Sequence, residues 1–275
     1  MKSNDSNDYL IKSKIYKKYH YSVLSQEELR YLHNKTLEIF RVVIDVFNNN
    51  NIPYMICGGT LLGAVTSQNF IPWDDDIDLC VFEDDYDRAI SCLRVNCPND
   101  IIIQCKDTEP AYYHGWVKVR DKYSEVFPKE ETYKSNGVWI DIYKLVRCKR
   151  KDAAYWINRE YIYYLTRRLH GGGITKTEYW KRISCNKLIH KLLQSKIEST
   201  LLNKDDSVIY IIWSASKIIL QENWILPLKK YDFEGLQVTS FFGAEKYLSS
   251  HYGSNYTFLP KDADRMIGIQ RIEKI

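Results

Sequence analysis

What the chain lacks narrows its possibilities first. Its seven cysteines are odd in number and contain no C-x-x-C pair, so neither a disulfide framework nor a cysteine-built zinc site is expected. Cys57, Cys80 and Cys105 instead sit in apolar runs, as reduced core thiols do, which points to a reducing, cytoplasmic compartment. The opening residues MKSNDSNDYLIKSKIYKK have no apolar heart of the kind a secretory signal needs. The longest apolar stretch, around Ser207 to Leu220, is interrupted by Ser and Lys and is too short to cross a bilayer. No internal repeat is present, which sets aside solenoids and propellers. Nor is there a strong charge of one sign: 39 Lys+Arg less 35 Asp+Glu leaves +4, which neither demands nor excludes nucleic acid. Partners must be read from sites, and no site here calls for nucleic acid.

What is present is a chain of 275 residues with 45% apolar content, enough to bury a sizeable core. The segment SQEELRYLHNKTLEIFRVVIDVF opens with Ser25 and Glu28 at capping-box spacing and repeats its apolar residues at helical intervals, so residues 1–50 are expected to be a helical segment. After the NNNN turn and Pro53, YMIC is a short strand, Gly58-Gly59 a turn and TLLGAV a short helix. DIDLCVF reads as a strand, EDDYDRAISCLRV as a helix, and IIIQC, YYHGWVKVR and VWIDIYKLV as further strands. Residues 51–150 thus form an α/β core, 151–225 a helical region rich in Tyr, Trp and Lys and broken by HGGG, and 226–275 a turn-rich tail packing on the core.

The chemistry is concentrated in WDDDIDLCVF. Asp76 and Asp78 are two apart, so on extended backbone both side chains face one way and Ile77 and Leu79 the other. Two such carboxylates repel, and a shared divalent cation relieves the repulsion; an oxygen-only ligand set suits Mg²⁺ or Mn²⁺ better than zinc. Asp141, alone among apolar residues in VWIDIYKL, supplies a third carboxylate whose burial needs a compensating charge. Upstream, Gly58, Gly59 and Thr60 stand where a strand meets a helix N-terminus, a place that suits the approach of a phosphate. Together these three features describe phosphoryl or nucleotidyl transfer on a metal centre.

The order strand, Gly-Gly, short helix, Asp-x-Asp, third Asp resembles the nucleotidyltransferase superfamily. The wording GGTLLGAV…FIPWDDDID is similar to its LicD branch, the phosphocholine transferases related to fukutin and fukutin-related protein. The likeness continues through VKVRDK, WIDIYKL and LPLKKYDFEGLQV…YLSSHYGSNYTFLP, in blocks from about Pro53 to Pro260. It implies a nucleotidyltransferase-like mixed sheet with flanking helices and a helical insertion. It also implies transfer of phosphocholine or a similar phospho-alcohol from CDP-choline or another CDP-alcohol to a glycan hydroxyl, with release of CMP. On that resemblance Asp76 and Asp78 are metal ligands and Asp141 a third ligand or the general base. Gly58, Gly59 and Thr60 hold the donor phosphates, with Trp73, Lys118 and Arg120 on the donor side. One departure stands out: relatives carry Arg-His after LLGAV and Gly before the Phe, where this chain has Thr66, Ser67 and Asn69.

A choline headgroup is held by aromatic faces, and Trp73, Trp116, Tyr112 and Tyr113 are the candidates among 22 Tyr and 7 Trp. The basic clusters RCKRK and RR read as solvated faces that also suit peripheral contact with anionic lipid, which fits a lipid-linked acceptor at the inner face of the membrane. Two other readings use the same residues. A nucleotidyltransferase would move the nucleotide from a nucleoside triphosphate to a protein, RNA or small molecule. An inert module would keep the fold to bind glycan or nucleotide.

Overall fold

The computed structural model describes residues 24–105, 107–109, 112, 114–127, 133–148, 209–212, 219–258, 269 and 271–275. The region from 149 to 208, with the HGGG stretch and most of the expected helical region, lies outside them, as do residues 1–23 and Tyr113.

Helix α1 (Gln26–Asn49) begins as its sequence dictates: the Glu28 amide donates to the Ser25 hydroxyl, and the Ser25 amide donates back to the Glu28 carboxylate at 2.8 Å. Its stripe of Leu32, Ile39, Phe40, Val43 and Phe47 is buried. Strand β1 (Met55–Ile56) leads into α2 (Gly58–Thr66), β2 (Asp78–Phe82) and α3 (Glu83–Asn96). Then come β3 (Ile101–Gln104), β4 (Val117–Asp121), β5 (Ser124–Phe127) and the long β6 (Trp139–Cys148).

The main sheet has the order β1-β2-β6-β4-β3. Strands β2 and β6 run parallel and every other pairing in it is antiparallel, so this is a mixed sheet with flanking helices. Helices α1 and α3 pack against it. Beyond the first half of β6 the sheet is extended by β7 (Ile209–Ile212), which pairs with Leu145 to Cys148, and by β8 (Ile219–Gln221). These two strands fall within the stretch expected to be helical. Short apolar runs such as IYII and IIL fit a buried strand as well as a helix turn, and pairing with the exposed edge of β6 decides between them.

The described part of the tail packs on the core. A helical turn, α4 (Glu222–Ile225), precedes the hairpin of β9 (Lys229–Phe233) and β10 (Leu236–Ser240). Thr239 and Ser240 donate their hydroxyls to the carbonyls of Tyr54 and Ile56, which tie β10 to β1. Helix α5 (Ala244–Tyr252) then packs against α2, and β11 (Arg271–Lys274) pairs with β5.

Candidate active site

Parallel pairing of β2 with β6 sets Asp78 directly opposite Asp141. Asp76 lies just before β2 on extended backbone, and the Asp141 amide donates to the Ile77 carbonyl at 2.8 Å, which fixes the lead-in against β6. The result is that Asp76, Asp78 and Asp141 each place a carboxylate oxygen within 4.8 Å of the others. Asp74, Asp75 and Asp76 meet the same condition among themselves. Asp76 and Asp78 are half-buried and Asp141 is buried.

The charge around them is uneven. Lys118, opposite Asp141 on β4, lies 2.7 and 2.9 Å from its two oxygens, with both side chains buried. Among the described residues, no Lys or Arg forms a salt bridge with Asp76 or Asp78. Burial, and next the charge of Asp141, pushes the Asp78 carboxyl up to about 7. Burial and the neighbouring Asp78 push Asp76 well above the ordinary carboxylate range, and burial with Asp75 does the same to Asp74. Carboxylates crowded in this way are short of positive charge. A divalent ion with oxygen preference fits the donor set of Asp76, Asp78 and Asp141, and Mg²⁺ or Mn²⁺ meets that description.

The Gly-Gly turn has a reason the sequence did not reveal. Gly58 has φ +55°, and a Cβ there would collide with the Asp78 carboxylate; a Cβ on Gly59 would collide with that of Asp74. The glycines make room for the acids. The Gly58 amide donates to the Tyr247 hydroxyl of α5 at 2.9 Å, and the Asp78 amide donates to the Thr60 hydroxyl at 2.9 Å. Gly58, Gly59 and Thr60 therefore lie against the carboxylates, with the Gly58 amide and the Thr60 hydroxyl engaged in holding the turn.

The remaining candidates divide. Lys118 joins the cluster and also lies 4.3 Å from the Trp139 ring centre. Arg120, two residues along β4, is buried and donates to Gln104 at 2.5 Å and to the Gly137 carbonyl at 2.6 Å. Trp73 is half-buried in the turn that the Asp74 amide closes on the Ile71 carbonyl at 2.9 Å. Of the other aromatic candidates, Tyr112 is 2% exposed and packs on Tyr133 and His114, which leaves it no open face. Trp116 packs on Tyr143 with ring centres 5.3 Å apart.

Two residues escaped the sequence reading. Tyr143, on β6, places its hydroxyl 3.3 Å from Asp141 and within hydrogen-bonding reach of Asp78, where burial and then the charge of Asp78 keep the phenol protonated as a donor. Its position two after Asp141 on a strand was a usable signal. Tyr247 lies 189 residues from Gly58 and left none.

A Gly-Gly turn at a helix start, an acidic pair at the entry to β2 and an opposed acid on a parallel neighbour are the arrangement expected of a nucleotidyltransferase domain. The family model described as LicD/FKTN/FKRP, nucleotidyltransferase domain, matches residues 51–172. The chain is similar to an uncharacterized protein of Rickettsia prowazekii, 33% identical over 132 residues, covering 39% of this chain and 49% of that relative. It is also similar to the lipopolysaccharide cholinephosphotransferase LicD of Haemophilus influenzae, 25% identical over 203 residues, covering 73% of this chain and 70% of that protein. The chain thus spans about half the length of the Rickettsia relative and more of the Haemophilus one.

Proposed function

We propose that the protein transfers phosphocholine, or a similar phospho-alcohol, from a CDP-linked donor to a hydroxyl of a glycan or its precursor, with dependence on Mg²⁺ or Mn²⁺. The observation that carries this reading is the convergence of Asp76, Asp78 and Asp141 within 4.8 Å beside a Gly-Gly turn. The name of the Haemophilus relative, a lipopolysaccharide cholinephosphotransferase, supports the headgroup. In this reading Asp76 and Asp78, with Asp141, hold the cation, which when bound supplies charge stabilisation for the diphosphate. Lys118 holds Asp141 in place, and the Tyr143 hydroxyl orients Asp78 and Asp141. Asp141 is the group placed to accept the proton of the acceptor hydroxyl.

The five described cysteines, Cys57, Cys80, Cys92, Cys97 and Cys105, are free thiols, which suits action in the cytoplasm. No helix among the described residues is long and apolar enough to cross a membrane.

The test is product analysis. With CDP-choline, Mg²⁺ and a panel of glycan acceptors, release of CMP with the headgroup appearing on the glycan is expected. Pyrophosphate release from a nucleoside triphosphate, with CDP-choline left intact, would contradict the reading in favour of nucleotidylation. A preceding thermal-shift panel of CDP-choline, CDP-ribitol and CDP-glycerol ranks the donors, since a bound donor raises the melting temperature by mass action.

A further inference from the structure

The connection from α2 to β2, residues 67–77, delivers Asp76 to the carboxylate cluster and is fastened from two remote parts of the chain. The first is the tip of the β9–β10 hairpin. There the Glu234 carboxylate accepts the Phe70 amide at 2.8 Å while the Glu234 amide donates to the Gln68 carbonyl at 2.9 Å, a reciprocal pair of bonds. Gln68 and Glu234 both hold the left-handed backbone that residues other than glycine rarely adopt, with φ +61° and +49°. The second is α1, where His33 lies flat on Phe70, ring centres 4.2 Å apart and planes 3° apart, and donates from Nε2 to the Asp74 carbonyl at 2.9 Å. Phe70 is buried, with Phe233 edge-on to it at 5.0 Å, so both fasteners converge on one side chain.

Asp76 needs such support more than its two partners do. The Asp78 amide is held by the Thr60 hydroxyl, and Lys118 grips both oxygens of Asp141. The Asp76 carboxylate takes no hydrogen bond among the described residues, and Asp78 and Asp75 act on it by repulsion. Its place is therefore set through the backbone. Between the Asp74 carbonyl, held by His33, and the Ile77 carbonyl, held by the Asp141 amide, only Asp75 and Asp76 intervene. Fixing both ends of so short a span limits where Asp76 can put its oxygens, which is what supporting contacts do for a ligand set.

We propose that Glu234 and His33 are positioning residues for the carboxylate cluster, acting through Phe70 and the Asp74 backbone to hold Asp76 where it shares an ion with Asp78 and Asp141. This rests on the reading of those three acids as a divalent-cation site, and it gives the C-terminal hairpin a part in that site. Both residues are half-buried, and replacing either leaves all three acids and the apolar core intact, so the loss expected is of affinity rather than of fold.

The test is Mn²⁺ titration of the full chain, followed by electron paramagnetic resonance of the free ion, with the melting temperature of each variant measured without metal. Glu234→Ala removes the acceptor of the Phe70 amide, and His33→Phe keeps the flat contact with Phe70 but not the bond to Asp74; each should weaken Mn²⁺ binding about tenfold. Glu234→Gln keeps an acceptor oxygen and should bind Mn²⁺ as wild type does. Thr239→Val is the control for a purely structural effect: it removes one hydrogen bond from the same hairpin, that of the Thr239 hydroxyl to the Tyr54 carbonyl, and should lower the melting temperature with affinity unchanged. An affinity unchanged in Glu234→Ala or in His33→Phe, or a loss in Thr239→Val as large as theirs, overturns the inference and leaves the cation site standing. Wild-type protein that takes up no Mn²⁺ overturns both.

Discussion

Strands β4 and β6 carry two buried polar clusters built on different terms. In the first, Arg120 donates to Gln104 and to the Gly137 carbonyl; Gln104 donates to Glu109 at 2.7 Å, and Glu109 also accepts the Lys134 amide at 2.5 Å. One cation and one anion are joined through an amide, and each has a hydrogen-bond partner. In the second, Asp76, Asp78 and Asp141 converge, Asp74 and Asp75 adjoin Asp76, and Lys118 pairs with Asp141. The first arrangement is what a fold does with charge it must bury. In the second, no Lys or Arg among the described residues forms a salt bridge with Asp76 or Asp78, and it is this shortfall that the proposed cation would fill. The two clusters are separated by only two positions on β4, Lys118 and Arg120.

That contrast breaks if the same kind of substitution has the same kind of effect in both clusters. The largest difference is expected from Asp78→Asn, which removes a ligand charge: turnover of the donor should fall about a thousandfold or more, the equivalent of several kcal/mol of metal-dependent stabilisation, with folding retained. Rates within a few fold of wild type, measured as CMP release, would return Asp78 to the structural class. Arg120→Ala is expected to act on the fold instead. It strips a buried cation from Gln104 and Glu109 and should lower stability in urea unfolding by about 3–5 kcal/mol. A stable Arg120→Ala protein with turnover lowered more than donor binding would place Arg120 with the donor diphosphate, as the sequence alone suggested.

Smaller effects sharpen the picture. Burial, and next the charge of Asp141, hold the Asp78 carboxyl up at about 7, above its ordinary 3.8, so between those values the folded state holds a proton that the unfolded state has lost. With a chelator present, the melting temperature should therefore fall as pH rises from about 4 through 7, and Asp78→Asn should flatten that fall. A melting temperature that rises over this interval in wild type alone would contradict the crowding of the acids. Smaller still is Tyr247→Phe, which leaves the Gly58 amide without its acceptor and should lower stability by about 1 kcal/mol, with a loss in turnover that exceeds any change in donor KM. An unchanged kcat would show that the turn holds without α5.

Much of the carboxylate cluster was legible in the sequence because local rules settle it. Alternation puts Asp76 and Asp78 on one side, a lone Asp141 in an apolar strand needs a partner, and the Ser25 and Glu28 spacing marks the start of α1. The opposition of Asp78 and Asp141 needed the parallel register of β2 and β6, which no local pattern encodes. The same holds for the Tyr247 hydroxyl on Gly58, a contact made by docking α5 onto α2. Arg120 looked equivalent to Lys118 because both face one side of β4; what separates them is Gln104 across the neighbouring strand and Glu109 beyond it. The strands β7 and β8 were hidden for a further reason, since a short apolar run has no period long enough to tell strand from helix.

Asp76, Asp78 and Asp141 are proposed to form one divalent metal centre. Titration of the full chain with Mn²⁺, followed by electron paramagnetic resonance of the free ion, tests it most directly. One site is expected in wild type and in Arg120→Lys, weakened at least tenfold in both Asp78→Asn and Asp141→Asn, with Mg²⁺ competing for it. A wild-type protein that takes up no Mn²⁺ at millimolar concentration, or an uptake unaffected by the two aspartate substitutions, would contradict the claim.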